Sequence, residues 1–111
     1  MIPSRGDVVW GDDPFKHDPD PGRPWLVLNS DGHPFADEQS IAVALSTSGH
    51  VDALPIPDDR WLDGGTPRRS YVLPWSLHSP RSRYVEFRQG RLDERFVSEV
   101  SRRSTSYIDH D

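Results

Sequence analysis

The sequence predicts a mainly β domain: a small SH3-like barrel of about six short strands, finished by a C-terminal amphipathic α-helix. Three observations lead there. The chain has 111 residues, the size of one ordinary domain, so residues 1–111 are expected to form a single unit. Eleven prolines exceed the usual ~5%, and because each removes a backbone donor, long helices are excluded from most of the chain. Short apolar runs separated by turn residues recur as far as Gly90, after which the apolar spacing lengthens to that of a helix.

Gly6-Asp7-Val8-Val9-Trp10-Gly11 reads as a first strand, followed by a long acidic, proline-punctuated loop from Asp12 to Gly22. Pro24-Trp25-Leu26-Val27-Leu28-Asn29 is a nearly unbroken apolar run and predicts a well-buried second strand that ends at the turn Asn29-Ser30-Asp31-Gly32. Ser40–Ser46 and Val51–Ile56 predict two more strands, joined near Ser48-Gly49-His50. Asp63-Gly64-Gly65-Thr66-Pro67 has loop chemistry. Ser70–Leu77 is a strand interrupted at Pro74, which must fall at an edge, an end or a bulge. Tyr84–Arg88 alternates and stops at Gln89-Gly90. Leu92, Phe96, Val100, Tyr107 and Ile108 then share one helical face, with Asp93 and Glu94 near its start and Arg102 and Arg103 near its end, predicting a helix of about fourteen to seventeen residues. Small bent sheets of this kind protect their edges by closing into barrels.

Hydrophobic residues make up 33% of the chain and, even with glycine added, stay below the ~45–50% of ordinary domains, so a small core is expected. With no cysteine, disulfide scaffolds, thiolate zinc sites and cysteine nucleophiles are excluded. No apolar run approaches the ~20 residues of a membrane span, and Met1–Asp13 lacks a signal peptide's apolar stretch; a soluble, cytoplasmic protein without membrane contact is expected. Thirteen basic against eighteen acidic residues give a net charge of −5, which argues against nucleic-acid binding through bulk charge. The distribution is uneven, however. Residues 1–63 are acidic overall, whereas residues 64–111 hold nine arginines. Folding can bring an arginine-rich face beside an acidic loop, as a site needing both phosphate grip and a base requires; ordinary surface ion pairing accounts for the same distribution. The preference for arginine and aspartate fits either a GC-rich coding sequence or adaptation to high salt.

Three segments carry candidate chemistry. His17-Asp18-Pro19-Asp20-Pro21-Gly22-Arg23-Pro24 is a proline-stiffened loop delivering Arg23 immediately before a buried strand. The planar guanidinium suits phosphate oxygens and keeps its charge, while His17, Asp18 and Asp20 are near enough to accept or donate protons; alternatively, Arg23 pairs with Asp18 or Asp20 to close the loop. Ser46-Thr47-Ser48-Gly49-His50 ends an apolar strand with three hydroxyls that suit a phosphate oxygen or, equally, a plain turn. Trp75, His78, Arg81 and Arg83 mix aromatic and cationic groups in the manner of single-stranded nucleic-acid surfaces, although Trp75 and Tyr84 also suit a core or an interface. The five histidines have no metal-ligand spacing and no phosphate-binding glycine motif occurs, so neither metal nor cofactor is expected.

Taken in order, Gly6-Asp7-Val8-Val9-Trp10, Gly22-Arg23-Pro24 with Trp25-Leu26-Val27-Leu28, the strand ending in Ser46-Thr47, and the closing strand-Gly90-helix unit resemble the MazF/PemK-like family of toxins from type II toxin–antitoxin systems. The resemblance implies a homodimeric SH3-like barrel acting as a metal-independent endoribonuclease, an mRNA interferase that cuts single-stranded RNA by attack of the ribose 2′-hydroxyl. It implies Arg23 and Ser46 as catalytic residues with Thr47 beside them, and an acidic partner at Asp18 or Asp20 with His17 available in the same loop. RNA contacts are then expected from His17, Thr47, Trp75, His78, Arg81 and Arg83. A cognate antitoxin is the implied protein partner, and DNA is reached only through the antitoxin complex. Where many members carry an acidic residue and a glutamine near the fifth strand, this chain has Leu73-Pro74-Trp75-Ser76. His78 then stands in as a general acid, or the barrel binds RNA or a partner protein without cutting.

Overall fold

The structure is a computed structural model and describes residues 1–14 and 22–110. Seven strands occur among the described residues: β1 (Asp7–Asp12), β2 (Gly22–Val27), β3 (Ala42–Ser46), β4 (Leu54–Pro55), β5 (Trp61–Gly64), β6 (Tyr71–His78) and β7 (Val85–Leu92). One helix, α1 (Glu94–Ser106), follows them. The strands form one antiparallel sheet in the order β4-β6-β3-β2-β1-β7-β5, curled into a half-barrel with the helix at the C-terminus.

The central strands bury both faces, which explains their unbroken apolar runs. Val8, Leu26, Val43, Leu45, Val72 and Leu92 join Phe96, Val97 and Val100 of α1 in one cluster. The alternate residues Val9, Trp25, Val27, Ala42, Ala44 and Val85 form a second cluster. Period-two alternation along the same strands thus feeds two cores. Trp25 is the largest fully buried side chain, and its indole Nε1 donates to the Asp12 carbonyl at 3.0 Å.

Three parts of the chain differ from the sequence reading. There are seven strands rather than about six, because Trp61–Gly64 pairs with β7 through Trp61↔Leu92, Asp63↔Arg91 and Gly64↔Gly90; the glycines that suggested a loop instead permit a close approach. Gly64 has φ +63°, and a Cβ there would lie 2.1 Å from the Gln89 carbonyl oxygen, so only glycine fits. The segment after Ser48-Gly49-His50 does not return as a hairpin: β4 is two residues long and pairs with β6, not β3. Helix α1 has 13 residues. Leu92 belongs to β7, Asp93 is the N-cap whose Oδ1 accepts from the Phe96 amide at 2.7 Å, and Tyr107 and Ile108 lie past the last turn, exposed. The buried stripe is instead Phe96, Val97, Val100 and Ser104.

Pro74 occupies a bulge, one of the three positions open to it. The β3–β6 register runs Ala42↔His78 and Val43↔Leu77, then resumes at Ala44↔Leu73, leaving residues 74–76 unpaired with β3. The bulge turns the Pro74 carbonyl to α1, where the buried Ser104 hydroxyl donates to it at 2.7 Å.

Candidate active site

β2 and β3 carry the two most distinctive candidate groups to one sheet end. Their register pairs Trp25 with Ala44 and Leu26 with Val43. Extending it by two residues sets Arg23, at the start of β2, opposite Ser46, at the end of β3. Side chains directly opposite in an antiparallel pair are neighbours, and both residues, with Thr47 and Ser48, line one cavity of about 510 Å³. Sequence separation is thus cancelled by strand pairing.

The arginine is held from several sides. Nη2 donates to the Leu45 carbonyl at 2.8 Å, Nη1 lies 3.3 Å from Asp13 Oδ2, and the guanidinium carbon sits 5.8 Å from the centroid of the Trp25 ring. The Asp13 side chain is fully buried and that of Arg23 is 20% exposed. Nε of Arg23 is buried with no hydrogen-bond partner among the described residues. A guanidinium fixed in this way keeps its charge and loses little freedom on gripping an anion. Among the described residues, Arg23 forms an ion pair with Asp13. His17, Asp18 and Asp20 lie outside the described residues.

Beyond Arg23, the cavity takes Trp10, Thr66, Arg68, Ser70 and Gln89, none of which the sequence reading singled out. Trp10 also stacks on Phe87, with ring centroids 6.1 Å apart and planes within 7°. Its indole lies so close over the start of β2 that a Cβ at residue 22 would meet Nε1 at 2.3 Å, which is why Gly22 precedes Arg23. The signal for Arg68 was present: two adjacent arginines in a loop that opens with Gly64-Gly65 and Pro67. The described lining holds two guanidiniums, five hydroxyl side chains and an amide, but no carboxylate or imidazole. Such a lining suits an anion with several oxygens.

The other candidates sit elsewhere. Trp75 packs on His50 and Tyr107, at ring-centroid distances of 5.0 and 6.5 Å, and with Asp52 they line a separate cavity. Arg81 and Arg83 border a third cavity with Asp37 and Glu38, and Arg83 stacks over Tyr84 at 4.9 Å. His78 is paired with Ala42 and lies against Trp25 at a ring-centroid distance of 4.8 Å, outside the Arg23 cavity. Burial pulls the His78 imidazole below its ordinary pKa, outweighing the opposing pull of Asp12 and Asp13. The unfolded chain therefore binds this proton more readily than the folded one. The stability due to neutral His78 is fully present above the ordinary value and is lost as pH falls from ~6.5 through the lower folded-state value. Melting temperatures between about pH 7.5 and 5 should show this fall in the wild type and a shallower one in His78→Gln; identical slopes would remove His78 from the pH response. Among the described residues, no group of three or more histidines and carboxylates is placed to hold a metal ion. Among the described residues, no helix is long and apolar enough to cross a membrane.

This fold, a curled antiparallel half-barrel with one C-terminal helix, is that of the MazF toxins. The chain is similar to MazF from Deinococcus radiodurans with a TM-score of 0.73 and 19% identity, over 97% of each chain. It is similar to MazE-MazF from the same organism with a TM-score of 0.74 and 18% identity, over 97% of each chain. An endoribonuclease in complex with its cognate antitoxin from Mycobacterial species matches with a TM-score of 0.67 and 17% identity, over 96% of this chain and 94% of that one. No protein-family model and no curated protein matches the sequence.

Proposed function

We propose that this chain is the toxin of a type II toxin–antitoxin pair, a metal-independent endoribonuclease that cuts single-stranded RNA. The observation that carries this reading is the convergence of Arg23 with Ser46 and Thr47 in one cavity whose described lining has cations and hydroxyls but no carboxylate. In the reaction, the ribose 2′-oxygen attacks the adjacent phosphorus, the P–O5′ bond breaks, and a 2′,3′-cyclic phosphate and a 5′-hydroxyl result. Arg23 offsets the charge that builds on the phosphate oxygens, and Ser46 and Thr47 donate hydrogen bonds to them. The 2′-proton goes to a base drawn from His17, Asp18 and Asp20, which lie just ahead of Gly22 in the chain, and the departing O5′ takes a proton from solvent water to become the 5′-hydroxyl. His78 packs against Trp25 outside the cavity, and we assign it to packing rather than to proton transfer.

The protein partner in this reading is an antitoxin whose acidic segment occupies the same arginine-bearing cavity and competes with RNA by mass action. The toxin acts as a homodimer in the cytoplasm and meets DNA only through that antitoxin. The fold supports the pairing, since it is shared with MazE-MazF complexes. A second reading, a barrel that binds RNA without cutting, is favoured by one observation: no proton acceptor of the carboxylate or imidazole type lines the described cavity. End-labelled RNA incubated with the protein in chelator separates the two. Fragments ending in cyclic phosphate are expected; intact RNA retained on a filter by the protein would establish the non-cleaving barrel.

A further inference from the structure

We propose that the loop between β5 and β6 is a second phosphate-holding subsite, in which Arg68 and Arg69 grip the backbone of single-stranded RNA beyond the linkage held at Arg23. The inference rests on the ribonuclease reading and adds where the rest of the substrate lies. Two cavities flank this loop. The first, of about 510 Å³, contains Arg23, and the second, of about 490 Å³, contains Arg69; Thr66, Pro67, Arg68 and Ser70 line both. A strand leaving the Arg23 cavity on this side therefore passes Arg68 and then meets Arg69.

The loop is braced before any ligand arrives. The Gly65 amide donates to the Gln89 carbonyl at 3.1 Å at one end, and the Ile56 amide to the Ser70 carbonyl at 3.1 Å at the other. Between them the Thr66 hydroxyl donates to the Arg68 carbonyl at 2.7 Å, and the buried Ser70 hydroxyl lies 3.0 Å from Thr66 Oγ1 and 3.1 Å from the same carbonyl. The backbone that carries Arg68 is thus fixed by two hydroxyls. Its guanidinium is not: among the described residues Arg5, Arg23, Arg60, Arg88 and Arg91 form ion pairs, whereas Arg68 and Arg69 form none. Asp58 is the one acidic side chain in the second cavity's described lining. Unpaired guanidiniums on a fixed backbone suit the bidentate grip of a phosphate, with only the side chains left to order on binding.

Binding of 2′-fluoro RNA, which has no 2′-hydroxyl and cannot be cut by the proposed route, tests this by fluorescence anisotropy. The probes are a dinucleotide holding a single phosphodiester and a hexanucleotide. The variant Arg68→Ala/Arg69→Ala should bind the hexanucleotide roughly tenfold or more weakly, with the slope of log affinity against log salt reduced by ~0.7 for each phosphate that is no longer neutralised. Arg69→Ala alone, which leaves the described lining of the Arg23 cavity intact, should weaken the hexanucleotide while keeping wild-type affinity for the dinucleotide, and Arg68→Lys/Arg69→Lys should restore most of the salt slope. Hexanucleotide binding unchanged in both alanine variants, or an equal loss for both probes in Arg69→Ala, would overturn the subsite. Because the probe is uncleavable, failure of the ribonuclease reading appears separately, as intact natural RNA in the cleavage assay.

Discussion

Arg23→Ala is expected to cleave single-stranded RNA at least ~100-fold more slowly than the wild type, the loss typical of removing one preorganised donor from a developing oxyanion. Two features of the site raise the expectation above that of an ordinary surface arginine. The side chain is mostly buried and tied to the Leu45 carbonyl and to Asp13, so its position is set before any substrate arrives. It also lies in the same cavity as the hydroxyls of Ser46 and Thr47. Truncation also deprives the fully buried Asp13 carboxylate of its guanidinium, which costs stability as well as rate. Activity must therefore be compared per folded molecule, with circular dichroism at the assay temperature. Arg23→Lys keeps the charge but not the planar fork, and an intermediate rate is expected. An alanine variant that cuts as fast as the wild type while folded would remove Arg23 from the chemistry.

Trp25→Ala should destabilise the domain by about 3–5 kcal/mol, the cost of emptying a large aromatic site in a packed core. That is a large share of the ~5–15 kcal/mol that holds a typical domain folded. Trp25 is fully buried in the middle strand, and four neighbours depend on it: the Asp12 carbonyl, the His78 ring, the Arg23 guanidinium and the second apolar cluster. Trp25→Phe refills most of the volume but leaves the Asp12 carbonyl without its indole donor, and a smaller loss of about 1–3 kcal/mol is expected. Urea unfolding midpoints read both values. A Trp25→Ala variant within about 1 kcal/mol of the wild type would mean that the second cluster adds little, contrary to the cost of cavities in cores.

Much of the architecture was legible because it was written in local patterns. The apolar strand runs at residues 24–29 and 40–46, the turn at Asn29–Gly32, the interruption at Pro74 and the presence of a closing amphipathic helix all follow from side-chain periodicity and backbone chemistry. β5 was missed because Gly64-Gly65 carries the same loop signal whether the chain turns freely or presses against a neighbouring strand; only the approach to Gln89 distinguishes the two. Pairing of β4 with β6 instead of β3 is a long-range choice with no local marker. The site divides in the same way. Arg23 and Ser46 stood out through their places at strand ends, but the partnership of Arg23 with Asp13, and the entry of Arg68 and Trp10 into the cavity, depend on how distant strands register. Trp75, Arg81 and Arg83 have the composition of a nucleic-acid surface, yet the bulge at Pro74 and the bridge between Gln39 and Arg81 place them around other cavities.

A double-mutant cycle on the binding of 2′-fluoro RNA hexanucleotide asks most directly whether the guanidinium of Arg23 and the hydroxyl of Ser46 meet at one phosphate. Wild type, Arg23→Ala, Ser46→Ala and the double variant are compared at a single salt concentration. Two groups holding the same phosphate should show a coupling of about 0.5–3 kcal/mol between their losses of binding energy. Losses that add to within about 0.5 kcal/mol would show the two side chains acting on separate parts of the RNA, and a shared scissile phosphate would be contradicted.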